Sequence, residues 1–345
     1  MNFSHSLTKV QNWLKFNTYS CLDYDNLYDL YCSKQNKTIS LVMPTLNEES
    51  TVGHIIETIF SKLNNSYQLI DEFVLIDGGS SDNTIGIVKN LTEKYNLLKL
   101  VHEKDILSHI ENKKGKGNQL WKGLYCSKGD IVLYCDSDLK NFDVRMIYGM
   151  IGPLLKQNIK FIKGFYERPL VINKNIKKSN EGGRVTELCA RPMLNLLYPD
   201  LAGFIQPLGG EYGGYRDILE SVHYMTGYGV EVNILIEICE KYGIDIMGQV
   251  DLLKREHRHQ NTNALSKMSF IIMNTILTKH IKNPMNSNLL MKNFTQSVDE
   301  NFKNNVTGDE IIHDQFLLIK NSHDEILPTI KTMKENGHDK IAIND

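Results

Sequence analysis

Three short apolar runs in the first half of the chain each end in a polar, carboxylate-bearing turn. That pairing constrains the fold more than any other feature. Residues 38–44 (TISLVMP) lead into Thr45-Leu46-Asn47-Glu48-Glu49, residues 72–77 (EFVLID) into Gly78-Gly79-Ser80-Ser81-Asp82, and residues 130–135 (DIVLYC) into Asp136-Ser137-Asp138. Runs of this length and character read as strands buried on both faces. Residues 52–63, 84–95 and 118–127 have helical spacing, and residues 98–102 supply one more strand. The βαβαβαβ order predicts an α/β fold with a mainly parallel sheet and helices on both faces. Ligands of such sheets bind beyond the carboxyl ends of the strands, where all three polar motifs fall.

The second half is less regular. Residues 160–166 read as a strand, 170–181 as a polar, lysine-bearing loop, and 184–197 as a helix complicated by Pro192. Residues 206–214 carry four of the 24 glycines and suggest a tight turn. Residues 230–242 are an apolar helix, 244–255 a strand and 266–279 a helix, while 1–35 and 283–345 read as helical additions.

Composition narrows the function. Hydrophobic residues are 41% and charged residues 23%, which is ordinary globular composition. Lys plus Arg is 39 against 41 Asp plus Glu, and a formal net charge of −2 lacks the basic excess of a nucleic-acid binder. No apolar run approaches the roughly 20 residues that span a bilayer, and the N-terminus lacks the apolar stretch of a signal peptide. The six cysteines, Cys21, Cys32, Cys126, Cys135, Cys189 and Cys239, form no C-x-x-C pair and read as buried thiols of a reducing compartment. A cytoplasmic protein with no membrane span is the expectation.

Several motifs carry chemistry, and each also has an ordinary structural reading. Asp136-Ser137-Asp138 offers hard oxygens for Mg²⁺ or Mn²⁺, or is a solvated strand-end turn. The turns after the first two strands are ligand edges, or helix caps built on residues such as Asn47 or Ser50. Lys113-Lys114-Gly115-Lys116-Gly117-Asn118 precedes a helix, so Lys116 suits a diphosphate; a solvated loop is the alternative. It is not a P-loop, and no G-x-G-x-x-G follows the first strand. Gly182-Gly183-Arg184-Val185-Thr186 opens a helix as an anion site or as a plain helix start. Strand alternation puts Arg255, His257 and His259 on one side. A neutral imidazole among them can ligate a metal or serve the fold. Glu231 at a helix start favours the dipole or hydrogen-bonds a sugar.

Taken in order, VMPTLNEE, LIDGGSSD, GKGNQLW, DSD, GGRVTEL, QPLGGEY, YGVE and REHRHQ make the chain similar to the GT-A nucleotide-sugar glycosyltransferases. Within them it resembles the retaining glucosyl-3-phosphoglycerate synthases over roughly residues 36–282. The resemblance implies a GT-A fold with residues 36–166 as the nucleotide-sugar half and 167–282 as the acceptor half. It implies that Pro44, Thr45, Leu46, Glu48 and Ser80 contact uridine and that Lys116, Asp136 and Ser137 line the nucleotide site. Leu208, Gly209, Tyr228 and Glu231 would lie near the donor sugar. Asp138 and His257 would ligate a divalent metal. Gly183, Arg184 and Thr186 would hold the acceptor phosphate, with Arg255 on acceptor or diphosphate and His259 at an acceptor position. Gly78 stands where the family's second turn often has a polar residue, and His259 where close relatives can carry Asn.

The implied reaction moves glucose from UDP-glucose to the 2-hydroxyl of 3-phosphoglycerate, with Asp138, Glu231, Lys116 and Arg255 as catalytic candidates and a homodimer as the assembly. Competing readings are a related transferase with another donor, such as GDP-mannose, or another anionic acceptor, and a non-catalytic nucleotide-sugar binder.

Overall fold

A computed structural model describes residues 3–110, 113–168, 170–172, 176–178, 183–255, 261–282, 289–292, 309–313, 316–319 and 324–336. Helix α1 (Phe3–Phe16), strand β1 (Thr18–Ser20) and helix α2 (Leu27–Lys34) come first. The regular half follows as β2 (Ile39–Thr45), α3 (Val52–Leu63), β3 (Glu72–Asp77), α4 (Thr84–Lys94), β4 (Leu98–His102), α5 (Lys116–Cys126) and β5 (Ile131–Tyr134). Helix α6 (Arg145–Lys156), β6 (Phe161–Glu167), the short strands β7 (Leu170–Ile172) and β8 (Ile176–Lys178), and helix α7 (Arg191–Leu197) come next. Then follow β9 (Tyr212–Tyr215), α8 (Arg216–Glu220), β10 (Tyr224–Met225), α9 (Val230–Tyr242), β11 (Met247–Lys254) and α10 (Thr262–Ile281).

Eight strands form one sheet in the order β1-β11-β6-β9-β5-β2-β3-β4. All neighbours are parallel except β9, which runs antiparallel to both β5 and β6. The sheet is thus mainly parallel, as the element order predicts, and it runs unbroken through both expected halves. Alternate side chains feed two cores. Phe73, Leu75, Ile131 and Leu133 join one, while Val74, Ile76, Val132 and Tyr134 join the other. Burial on both faces is why these strands are apolar throughout.

Four local differences have physical causes. Gly213 and Gly214 of the expected turn lie in β9, at the centre of the sheet. A Cβ at Gly213 would stand 2.5 Å from the Val132 carbonyl oxygen, so glycine lets this strand run close to its neighbour. Part of the lysine-bearing segment expected as a loop forms the β7–β8 antiparallel pair. The helix at 184–197 does form, but it contains a π-turn at Thr186–Ala190, closed by Arg191 N–H donating to Thr186 O. Pro192 has no N–H to donate to the preceding turn, and the wider turn precedes it. Cys32 is exposed and Cys239 half-buried, unlike the four buried thiols, and all six are free.

The flanks are more than helical. Strand β1 extends the main sheet beside β11, and Trp13, Cys21, Tyr24 and Leu30 are buried. Beyond α10, Leu289–Lys292, Asp309–His313 and Phe316–Ile319 form a three-stranded antiparallel sheet. The strand Ile326–Leu327 pairs with β10, and the helix Ile330–Glu335 follows. No helix among the described residues is long and apolar enough to cross a membrane.

Candidate active site

The carboxyl ends of β2, β5 and β6 open onto a cavity of about 550 Å³. Two turns form one wall by latching together. Asn47, with φ 58° in the left-handed region, accepts through Oδ1 from Ser81 N at 2.8 Å, and its own N–H donates to Ser80 Oγ at 2.9 Å. Asn47 therefore ties the turn after β2 to the turn after β3. It does not cap α3, and neither does Ser50; Thr51 precedes that helix and donates to Ser137 O at 2.7 Å. Asp77 accepts from the N–H groups of Gly79 and Ser80, so the second turn is a side-chain-closed turn.

Pro44, Thr45, Leu46, Glu48, Lys116, Asp136, Ser137 and Asp138 all reach the cavity wall. Leu208, Tyr228, Glu231 and Arg255 line it as well, and so do Gly183, Arg184 and Thr186. Ser80 and Gly209 are described but not on the wall. Ser80 is engaged in the latch, and the Gly209 carbonyl accepts from Lys163 Nζ at 2.5 Å. His257 and His259 lie outside the described residues.

Charge is arranged as a chain. Lys116, in the first turn of α5, contacts Asp136 Oδ1 at 2.6 Å and Glu231 Oε1 at 2.8 Å. Arg255, at the end of β11, donates from Nη2 to Asp136 Oδ2 at 2.8 Å and Asp138 Oδ1 at 3.0 Å. Its Nη1 donates to both oxygens of Glu211, at 2.9 and 2.8 Å, and to the Tyr166 hydroxyl at 2.6 Å. Burial alone raises the Asp136 carboxyl, but Lys116 and Arg255 outweigh it and hold the group well below the usual carboxylate range. Asp136 and Glu231 in turn overcome burial at Lys116 and keep it charged. Gly210 is required beside this network, since a Cβ there would stand 2.2 Å from Asp136 Oδ2. Lys163 is the contrasting cation. It is 1% exposed and its Nζ lies 4.3 Å from the centre of the Tyr212 ring, so burial pulls it down to about 7.

The donor set suits a hard divalent cation. Asp138 gives one oxygen to Arg255, and its Oδ2 has no protein partner among the described residues. Its side chain is 37% exposed, on the cavity wall. A partly hydrated carboxylate oxygen of this kind is what Mg²⁺ or Mn²⁺ binds. The described residues alone form no cluster of three or more His, Cys, Asp or Glu that would hold a metal, and His257 is beyond them.

Some wall residues carry no signal in the sequence. Gln119 of α5 donates to Thr45 O at 3.3 Å, and its amide fills the space beside Gly78: a Cβ there would meet Gln119 Nε2 at 2.0 Å. Gln119 thus stands where a polar side chain at 78 would be. Arg168, Leu265, Met268 and Ile272 complete the far side. Glu211 sits inside QPLGGEY, and only its pairing with Arg255 reveals what it does. The C-terminal segment braces the floor: Asp324 accepts from Gly229 N at 2.6 Å, and Trp121 donates to Pro328 O at 2.7 Å.

Residues 40–201 match the model of glycosyl transferase family 2. The chain is 43% identical over 274 residues to the glucosyl-3-phosphoglycerate synthase of Petrotoga mobilis, covering 78% of this chain and 82% of that protein. A crystal structure of glucosyl-3-phosphoglycerate synthase from Mycobacterium tuberculosis, in complex with Mn²⁺, uridine-diphosphate and phosphoglyceric acid, superposes with a TM-score of 0.75 at 30% identity. That match covers 93% of this chain and 99% of the other. The crystal structure of mannosyl-3-phosphoglycerate synthase from Rubrobacter xylanophilus matches with a TM-score of 0.76 at 30% identity, covering 93% and 99%.

Proposed function

The chain belongs to the glucosyl-3-phosphoglycerate synthase family of glycosyltransferases, and on that premise we propose that it transfers glucose from UDP-glucose to the 2-hydroxyl of 3-phosphoglycerate. The observation that carries this reading is a single cavity with two differently built walls. One wall has the Pro44–Glu48 turn, Lys116 and the Asp136–Asp138 pair, suited to a nucleotide diphosphate. The other has Gly183, Arg184 and Thr186 at a helix start, suited to a small phosphate-bearing acceptor. We assign residues 36–166 to the first task and 167–282 to the second.

Pro44, Thr45, Leu46 and Glu48 cradle the base and ribose, with Ser80 acting through its bond to Asn47. Asp138, with His257, would hold Mg²⁺ or Mn²⁺, which when bound neutralises the departing diphosphate. Lys116 and Arg255 hold fixed positive charge at the same edge, preorganised by their carboxylate partners. Leu208 and Tyr228 bound the sugar. The bond from glucose C1 to the β-phosphate oxygen breaks, and a bond from C1 to the acceptor oxygen forms on the same face. The leaving diphosphate takes the acceptor's proton, and bond formation on the face it leaves retains the configuration. Glu231 serves this step by fixing Lys116, to which it is bonded at 2.8 Å. The alternative is a covalent role for Glu231, which near-wild-type turnover of Glu231→Gln would exclude.

The Rubrobacter relative supports a second reading with the same acceptor and a mannosyl donor. Further parts of the reading are a cytoplasmic location, supported by six unpaired thiols, and a homodimer, supported by Leu188 and Leu196 standing 79% and 78% exposed. Nucleoside diphosphate release, measured with UDP-glucose or GDP-mannose, Mg²⁺ or Mn²⁺, and with or without 3-phosphoglycerate, tests the function. Acceptor-dependent UDP release is expected, and its absence overturns the glucosyl reading.

A further inference from the structure

Resting on that reading of the site, we propose that Arg168 is a second anion contact for the acceptor, binding its carboxylate while Gly183, Arg184 and Thr186 hold its phosphate. Arg168 follows β6 directly and lines the cavity on the acceptor side. A Cβ on Gly183 would lie 3.5 Å from Arg168 Cδ and 3.7 Å from its Nη1, so the guanidinium stands against the start of the phosphate-binding turn.

Arg168 has no carboxylate partner among the described residues, and its guanidinium lies 5.3 Å from the centre of the Tyr166 ring. Its Nε is buried with no hydrogen-bond partner. Its one hydrogen bond among the described residues is a long one, Nη2 to the Tyr166 hydroxyl at 3.4 Å, and it makes no ion pair with any of them. The other cations of this wall, half-buried Lys116 and buried Arg255, differ. Lys116 meets Asp136 and Glu231, and Arg255 meets Glu211, Asp136 and Asp138. A guanidinium nitrogen buried without an acceptor, as Nε is here, is costly to the empty protein. A bound carboxylate relieves that cost, and it fits the planar fork in a way a single point charge does not.

The chemistry of the acceptor gives this contact a purpose. In 3-phosphoglycerate the reacting 2-hydroxyl lies between a phosphate-bearing carbon and a carboxylate. Holding the phosphate alone leaves the molecule free to swing about that anchor. Holding both ends fixes which way C2 presents its hydroxyl to the donor. Arg168 is therefore a specificity residue: it distinguishes an acceptor with a carboxylate from a phosphorylated alcohol of equal length.

The test compares 3-phosphoglycerate with glycerol 3-phosphate, which lacks the carboxylate, in wild type, Arg168→Gln and Arg168→Lys. For Arg168→Gln the KM for 3-phosphoglycerate rises about ten- to hundred-fold, the worth of a charged hydrogen bond, and the KM for UDP-glucose stays within about two-fold. Arg168→Gln handles glycerol 3-phosphate as wild type does, so the preference between the two acceptors collapses. Arg168→Lys recovers part of the preference. Equal losses on both acceptors, or an unchanged preference, overturn the proposal. UDP binding measured by calorimetry reports whether the variant is folded. If wild type itself shows no 3-phosphoglycerate-dependent turnover, the functional reading fails and not the role of Arg168 within it.

Discussion

One nitrogen of Arg255, Nη1, meets both carboxylate oxygens of Glu211, at 2.9 and 2.8 Å, with the two residues 3% and 0% exposed. Glu211 thereby fixes the rotation of the guanidinium, whose other nitrogen lies between Asp136 and Asp138. Removing one partner of a buried pair leaves an uncompensated charge. Glu211→Ala should cost about 3–5 kcal/mol in chemical denaturation. Glu211→Gln, which keeps the shape, should fold and lose at least about ten-fold in kcat/KM because the guanidinium turns. Wild-type kinetics in Glu211→Gln would show that Asp136 and Asp138 alone orient Arg255.

The two walls of the cavity separate by kinetics. Asp138 is partly exposed, so Asp138→Ala should leave stability within about 1 kcal/mol and remove metal-dependent turnover. Arg184→Ala should raise the acceptor KM by about ten-fold or more and leave the donor KM unchanged, since charged bonds to phosphate are strong. Equal effects of Arg184→Ala on both substrates would move Arg184 off the acceptor wall.

Glu237 gives the fold an acid limit. Burial pushes its carboxyl up, but hydrogen bonds from His223, at 2.9 and 3.0 Å, and from Lys279 prevail and bring it down to about 2. A depressed carboxylate contributes stability that is complete above its unfolded value of about 4.3 and is lost as pH falls toward the folded value. Denaturation midpoints should therefore drop between about pH 4.5 and 2. Glu237→Gln should lose about 2–3 kcal/mol at pH 7 and show a flatter profile through that window. An identical acid profile in the variant would rule this out.

Trp13, Cys21, Tyr24 and Leu30 of the N-terminal segment are buried in the core, and Gly152 of α6 tests the packing of Tyr24. A Cβ at this position would lie 2.1 Å from Cγ of Tyr24, which is 5% exposed. Gly152→Ala should cost about 1–3 kcal/mol by overpacking, and Gly152→Ala with Tyr24→Ala should recover part of that loss. Unchanged stability in Gly152→Ala would mean that Tyr24 yields without cost.

The parallel half of the fold was legible because β2, β3 and β5 are buried on both faces and its strands alternate with helices of matching period. Helix α3 and strands β3 and β4 begin and end where the apolar pattern does. Strand β9 was hidden because Gly213 and Gly214 carry a turn signal, and what they serve is a close approach between strands that only the packed sheet creates. Strand β1 was hidden for another reason: three residues, Thr18–Ser20, are too few to carry a period.

The site divides in the same way. Lys116, Asp136, Asp138 and Arg184 sit in compact motifs at strand and helix ends, where sequence pattern and chemistry coincide. Glu211, Gln119 and Arg168 take their meaning from partners distant in the chain, or from the lack of one. No local spacing encodes the contact of Glu211 with Arg255, 44 residues away. The bracing of Gly229 by Asp324, 95 residues on, is equally invisible before folding.

The most direct test of the account is the product itself. Wild-type protein is incubated with UDP-glucose, 3-phosphoglycerate and Mg²⁺ or Mn²⁺, and the product is analysed by mass spectrometry and proton NMR. The account predicts the mass of a glucosyl-phosphoglycerate, an α-anomeric proton, and a glycosidic link at C2 of the glycerate. A β-anomeric product, a link elsewhere, or UDP release with free glucose and no conjugate would contradict it.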